Sequence, residues 1–205
     1  MTAYRILRRA DHQEMPWLNG GGSTLQVASS PEGAGLEDFD WRVSFARVER
    51  NGPFSTFPGT DRVITLVDGP GLRLTVSPEG TGEYAVTLGR HEPFAFAGDD
   101  VVSSEVSGPT VNLNLMTRRG RRVGQVRTVR LDQDGLVVRA GGQDEVLVAV
   151  LAGQVTAASA GSGSDHPDVP GDADVLGMLD VLVDIGADVR LTGEGTVALV
   201  TVRHR

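Results

Sequence analysis

Short runs of β-branched and other apolar residues recur along the chain between Gly, Pro and Asp turns. They predict strands over Trp41–Val48, Arg62–Val67, Leu72–Val76, Thr110–Met116, Val126–Leu131, Leu136–Arg139, Val146–Leu151, Val189–Leu191 and Thr196–Val202. Nowhere do apolar residues hold the i, i+3, i+4, i+7 spacing between helix caps, although Pro170–Leu182 leaves room for a turn of helix. The chain therefore reads as all-β, a sandwich or barrel. In two of the strands polar side chains fall at every second position. Arg42 and Ser44 share one face of Trp41–Ala46, with Trp41, Val43 and Phe45 on the other. Asn112 and Asn114 share one face of Val111–Met116, opposite Val111, Leu113 and Leu115. Such polar faces line an internal pocket if a second layer covers the apolar ones, and face solvent otherwise.

A weak internal repeat accompanies this pattern. Ile64–Val76 (ITLVDGPGLRLTV) resembles Leu147–Ala158 (LVAVLAGQVTAA), each an apolar strand, a glycine turn and another apolar strand. A Leu-Gly pair follows each copy, at Leu88-Gly89 and Leu176-Gly177, then a further glycine at Gly98 and Gly186. Each copy ends in an apolar strand, Val111–Met116 and Val197–Val202. This spacing predicts two tandem β-barrels with the glycine-turn hairpins of a double-stranded β-helix, over residues 1–120 and 121–205. Ala158–Asp174 is a polar loop within the second, and its His166 is expected to be solvated.

Composition then narrows the chemistry. At 205 residues, 40% hydrophobic and 22% charged, the chain is long and apolar enough to bury a core. Cysteine is absent, which excludes disulfides, thiolate nucleophiles and Cys-ligated zinc or iron–sulfur sites. Lysine is absent too, which removes Schiff-base and pyridoxal phosphate chemistry and the P-loop. The net charge is −8 and neither half is basic, so no nucleic-acid partner is expected. Arg118–Arg130 is rich in arginine, and reads as a solvated connection offsetting an acidic chain more readily than as an anion patch. Met1–Ala10 lacks the apolar run of a signal peptide, and no stretch is apolar enough to span a bilayer. A cytoplasmic protein with no membrane partner is expected.

Two further segments carry candidate chemistry. Asn19-Gly20-Gly21-Gly22-Ser23-Thr24 follows Pro16-Trp17, and its glycines allow backbone N–H groups to approach a ligand as an anion-binding nest. The run lacks the GxGxxG spacing of a dinucleotide site. Gly52–Arg62 is a tight loop with two aromatics, a serine and the Asp61-Arg62 pair.

These segments together carry a resemblance. WLNGGGST (17–24), FDWRVSFARV (39–48), NGPFSTFPGTDRVITLVDG (51–69), FAFAGD (94–99) and VNLNLMTRR (111–119) resemble the HutD/Ves family, over most of the N-terminal half. The resemblance implies a bicupin fold, two tandem cupin-like barrels without the usual metal ligands. It also implies a link to bacterial histidine utilisation, with a regulatory role and a small carboxylate ligand; the Ves branch has no settled activity. The family's usual Asp-Phe-Asn ahead of the Met reads Val-Asn-Leu-Asn-Leu here, at Val111–Leu115, so an acidic residue is replaced. In the cupin pattern a metal-binding Glu stands where Arg62 precedes Gly69, and His12, His91, His166 and His204 are scattered. A fixed cation at that place disfavours a metal and favours an anion.

The favoured reading is a non-enzymatic protein that binds a small anionic metabolite of the urocanate, formate or formylglutamate type. Arg42 and Arg62 would pair with the carboxylate. Ser44, Ser55, Asn112 and Asn114 would add hydrogen bonds, Trp17 and Phe57 an apolar wall, and Asn19, Gly20, Gly21, Gly22 and Thr24 would close the site. No metal or other cofactor is expected. The alternative is a metal-free isomerase or hydrolase acting on a small amino-acid or sugar derivative, with Asp61, Asp99 or His91 as its base. A third reading makes the second barrel a dimerisation module through strands such as Val146–Leu151, giving a homodimer.

Overall fold

The computed structural model describes residues 3–17, 20–160 and 173–205. Its strands run β1 (Arg5–Leu7), β2 (Gln13–Pro16), β3 (Gly22–Ser30), β4 (Trp41–Val48), β5 (Gly52–Pro53), β6 (Thr60–Asp68), β7 (Leu72–Ser77), β8 (Tyr84–Leu88) and β9 (Pro93–Ala97). They continue with β10 (Val101–Val106), β11 (Thr110–Arg118), β12 (Arg122–Arg130), β13 (Leu136–Val138), β14 (Glu145–Ser159), β15 (Asp174–Leu176), β16 (Val181–Val183) and β17 (Val189–His204). Among the described residues the one helical element is a 3-10 turn at Arg9–Asp11, so the protein is all-β. Among the described residues no helix is long and apolar enough to cross a membrane. Two compact units divide the chain: His12–Val126 with Val202–Arg205, and Met1–Asp11 with Arg127–Thr201.

The larger unit, built around His12–Val126, contains two sheets. One has the order β2-β3-β4-β11-β6-β9, the other β5-β10-β7-β8. They pack through Ile64, Leu66 and Phe96 of the first and Leu72, Leu74, Val76, Leu88 and Val102 of the second. Period-two alternation explains this core, because β7 buries Leu72, Leu74 and Val76 and exposes more of the residues between them. The reverse face of the six-stranded sheet is buried as well, through Trp41, Val43, Phe45, Leu113 and Leu115. Gly124 lies so close over Leu115 and Thr117 that a side chain there would meet both.

The smaller unit buries Val148, Val150, Val155, Ala157, Leu176, Leu182, Val189, Leu191 and Val197 in one apolar cluster. Its N-terminal strand is held there by pairing of Arg5 with Val183 and by the Tyr4 hydroxyl, which donates to the Ala157 carbonyl at 2.9 Å.

Four expectations are corrected. The first copy of the repeat is not a hairpin: the Gly69–Gly71 turn carries the chain from β6 in one sheet to β7 in the other. The second copy contains no turn, since Leu147–Ala158 lies within the continuous β14. Gly153 bends that strand without ending it, at φ 75°, where a Cβ would overlap the Glu194 carbonyl. Likewise Val189–Leu191 and Thr196–Val202 are parts of the single strand β17. Finally, the described part of Pro170–Leu182 is two short strands, not a turn of helix; residues 170–172 lie outside the described residues. Val175 and Leu176 pair with β14, Leu179 takes φ 73°, and the Asp180 carboxylate accepts the N–H groups of Gly177 and Arg9. Those bonds fold the segment into a tight turn.

Candidate functional site

Register places the polar residues of four strands on one face. Gln26 of β3 pairs with Ser44 of β4, Ser44 with Asn114 of β11, and Asn114 with Ile64 of β6. In the neighbouring row Arg42 pairs with Met116, Met116 with Arg62, and Arg62 with Phe96 of β9. A third row holds Thr24, Ala46, Asn112 and Leu66. Cross-strand partners share a face, so these side chains project together toward the interior of the larger unit. Both faces of the sheet are covered, which turns the polar ones inward: Arg42 is 5% exposed, Arg62 5%, Ser44 2%, Asn112 0% and Asn114 9%.

The two arginines are held separately. Arg42 donates Nη1 to Ser44 Oγ at 3.5 Å and Nη2 to Gln26 Oε1 at 3.4 Å, both long bonds. Arg62 donates Nη1 to the Ser55 carbonyl at 3.2 Å and Nη2 to Asn114 Oδ1 at 3.3 Å. Three rings surround the Arg62 guanidinium, with its Cζ 4.8 Å from the centroid of Phe96, 5.4 Å from Phe57 and 5.8 Å from Phe54. Among the described residues neither arginine has a carboxylate partner. Burial, followed by the repulsion of Arg42, brings Arg62 down to about 10, and burial lowers Arg42 also. The Nε atoms of both and Asn112 Oδ1 are buried with no hydrogen-bond partner. Charges taken out of water cost several kcal/mol each unless paired, and unmet buried donors add to that cost. The arrangement is therefore suited to receive an anion.

The other expected site residues take varied places. Trp17 donates Nε1 to Thr24 Oγ1 at 2.8 Å and packs edge-on to Phe54 at 6.4 Å, so it reaches the aromatic group around Arg62. Phe57 lies against the Arg62 guanidinium. Ser55 is exposed and offers Arg62 its backbone carbonyl rather than its hydroxyl. The glycine run serves the turn into β3: Gly20 donates its N–H to the Trp17 carbonyl, and the Gly21 carbonyl accepts from Glu49 and Arg50. A Cβ at Gly22 would overlap the Arg47 carbonyl, so this glycine permits close pairing of β3 with β4. Asn19 lies outside the described residues. Sequence reasoning missed Gln26, Phe54, Phe96 and Met116. A register shift between Gln26 and Ala28 breaks the alternation that would have revealed Gln26, whereas Phe54 and Phe96 carry no mark that separates them from ordinary core.

Other candidate groups are engaged elsewhere. Asp61 faces away from Arg62 and joins Asp99 on Arg119, at 3.0 and 2.9 Å. The Gly59 N–H, then Arg119, holds the Asp99 carboxyl below its usual range, which makes it a poor base near neutral pH. His91 bonds through its backbone to Leu66, and burial and Arg90 lower its imidazole. His12 packs on Phe45, and His204 contacts Arg122. No three metal-ligating side chains cluster among the described residues, and Arg62 itself has no lone pair to give, so these residues do not fit a bound metal. The arginine-rich segment is largely consumed internally: Arg118 lies over Phe39 and bonds the Glu37 carbonyl, Arg119 bridges Asp61 and Asp99, and Arg121 bonds Asp40.

Comparison with known proteins gives this arrangement a setting. The HutD family model matches residues 9–199. Protein Ves of Citrobacter koseri is 43% identical over 122 residues, 57% of this chain and 61% of its own. A 21.2 kDa uncharacterized protein of Pseudomonas putida, from the hutC 3′ region, is 40% identical over 111 residues, 54% of this chain and 56% of its own. The matches thus span about three-fifths of these relatives' length. The solved structure of HutD from Pseudomonas fluorescens SBW25 (formate condition) is 33% identical, with a TM-score of 0.77 covering 98% of this chain and 99% of that one. At 8% identity, a TM-score of 0.61 and 97% and 76% coverage, Bacillus subtilis oxalate decarboxylase shares the fold alone, a cupin-like one.

Proposed function

We propose, taking as premise that the chain belongs to the HutD family, that it binds a small carboxylate metabolite at Arg42 and Arg62 and acts as a sensor rather than an enzyme. One observation carries this: two arginines, each 5% exposed, share one buried sheet face with no acidic partner among the described residues. Ser44, Asn112 and Asn114 would complete the polar wall, and Trp17, Phe54, Phe57 and Phe96 the apolar one. The reading includes tandem cupin-like barrels, the first carrying the ligand, and a cytoplasmic role in histidine utilisation. Support for that role comes from the hutC-region relative and from the HutD structure of P. fluorescens. Urocanate, formate and formylglutamate are the ligands that setting suggests.

Thermal unfolding of the metal-stripped protein against these three acids and a panel of divalent metals tests the reading. A ligand at 100 times its dissociation constant adds about 2.7 kcal/mol. We expect a shift with at least one acid, none with metals, and loss of the shift in a folded Arg42→Ala variant. Shifts with metals alone would overturn the proposal.

A further inference from the structure

Resting on that reading, we infer that the site is built for a dianion: two carboxylates joined by a short apolar spacer, one for each arginine. The first ground is charge. Two buried cations repel one another and have no acidic partner among the described residues. A single carboxylate leaves one positive charge uncompensated in a medium where that costs several kcal/mol. A dianion leaves none.

Spacing supplies the second ground. Arg42 and Arg62 do not sit on adjacent strands; Met116 of β11 pairs with both and stands between them on the same face. Their Cα atoms are thus two strand spacings apart, about 10 Å. Met116, 2% exposed, lies on the same face between the two Cα positions. The guanidiniums are moored to different partners, Arg42 to Ser44 and Gln26, Arg62 to Asn114 and the Ser55 carbonyl. Each keeps an unpartnered Nε, and an Nε edge with its neighbouring Nη is the fork that takes a carboxylate through two oxygens. Along the backbone row the order is arginine, methionine, arginine, and the guanidinium tips reach the adjoining row, Arg42 between Gln26 and Ser44 and Arg62 at Asn114. The complement of two cations so rooted is carboxylate, methylene chain, carboxylate. A compact dianion such as phosphate would have to reach both arginines, rooted two strands apart, from one point.

The test is calorimetric titration of the full chain with malonate, succinate, glutarate and adipate, beside acetate, butyrate, sulfate and phosphate. We expect an optimum at one dicarboxylate length, at least tenfold tighter than butyrate. In Arg42→Gln and Arg62→Gln variants the same dicarboxylate is expected to fall within threefold of butyrate. Equal binding of mono- and dicarboxylates would overturn this inference while leaving the carboxylate reading intact. Tighter binding of sulfate or phosphate than of every dicarboxylate would overturn it in favour of a compact ligand. No binding by any acid, here or among the three metabolites, would remove the carboxylate reading itself. Should a variant fail to fold, the length series on the parent protein decides alone.

Discussion

Arg42 and Arg62 stand in one cross-strand row on either side of Met116, each 5% exposed, and the repulsion between them helps to hold the Arg62 guanidinium below its ordinary range. Two like charges in one buried row are a cost that folding alone gives no reason to keep. Stability sacrificed at a binding face is a common trade in proteins that must recognise a charged ligand.

Replacing Arg62 should expose that trade. Arg62→Met removes a buried cation and keeps an apolar side chain among Phe54, Phe57 and Phe96. The variant is expected to be at least as stable as the parent, by up to about 2 kcal/mol in urea unfolding. Its thermal shift with carboxylates should disappear. A loss of several kcal/mol would instead identify Arg62 as a structural part of the core.

Asn114 offers the opposite experiment. Its Oδ1 accepts from Arg62 at 3.3 Å, so Asn114→Asp places a carboxylate where an external one is proposed to bind, with almost no change of shape. The unliganded variant should melt at a higher temperature than the parent, and its affinity for carboxylates should drop at least tenfold. Unchanged affinity would place the anion away from Arg62.

The pH dependence follows from the same arginine. With its folded value lowered to about 10, first by burial and then by Arg42, Arg62 keeps its charge at neutral pH and loses it before an ordinary arginine would. Carboxylate affinity should be level from about pH 7 to about 9 and fall above about 10. Stability has the other sign. Between about 10 and the unfolded value the unfolded chain holds one more proton, so this group makes stability rise with pH across that window. Titration calorimetry across the range checks the first statement, and a fall already between about pH 6 and 8 would point to a histidine in the site.

Glycine substitutions separate close approach from mere turn composition. Gly22→Ala drives a Cβ into the Arg47 carbonyl and should cost about 1–3 kcal/mol, with loss of ligand shift because β3 carries Gln26 and Thr24. Gly153→Ala meets the Glu194 carbonyl at a positive φ, and should cost more. Gly177 has open space around the added atom, and Gly177→Ala should stay within about 0.5 kcal/mol of the parent. Chemical denaturation of the three variants ranks them; a benign Gly153→Ala would mean that β14 can bend without its glycine.

Local alternation is legible in the amino-acid sequence. The strand at Trp41–Val48 has the bounds its pattern predicts, and the pairing of Arg42 with Ser44 and of Asn112 with Asn114 on common faces needs only the two-residue period of an extended chain. Short or polar strands are not legible in this way. Gly22–Ser30, Pro93–Ala97 and Asp174–Leu176 owe their extension to the neighbours they pair with, since strand preference depends on context. Nor can a glycine announce whether it ends a strand, as at Gly69, or bends one, as at Gly153, because that depends on which backbone lies opposite.

The arginine row belongs to this second kind of information. Composition and alternation established an all-β chain without cysteine or lysine, with polar residues gathered on particular strand faces. That the polar faces turn inward, that β11 inserts between β4 and β6, and that Met116 thereby parts Arg42 from Arg62 are consequences of strand order. Strand order is set by long-range pairing and by the burial of both faces at once, which no window of neighbouring residues contains.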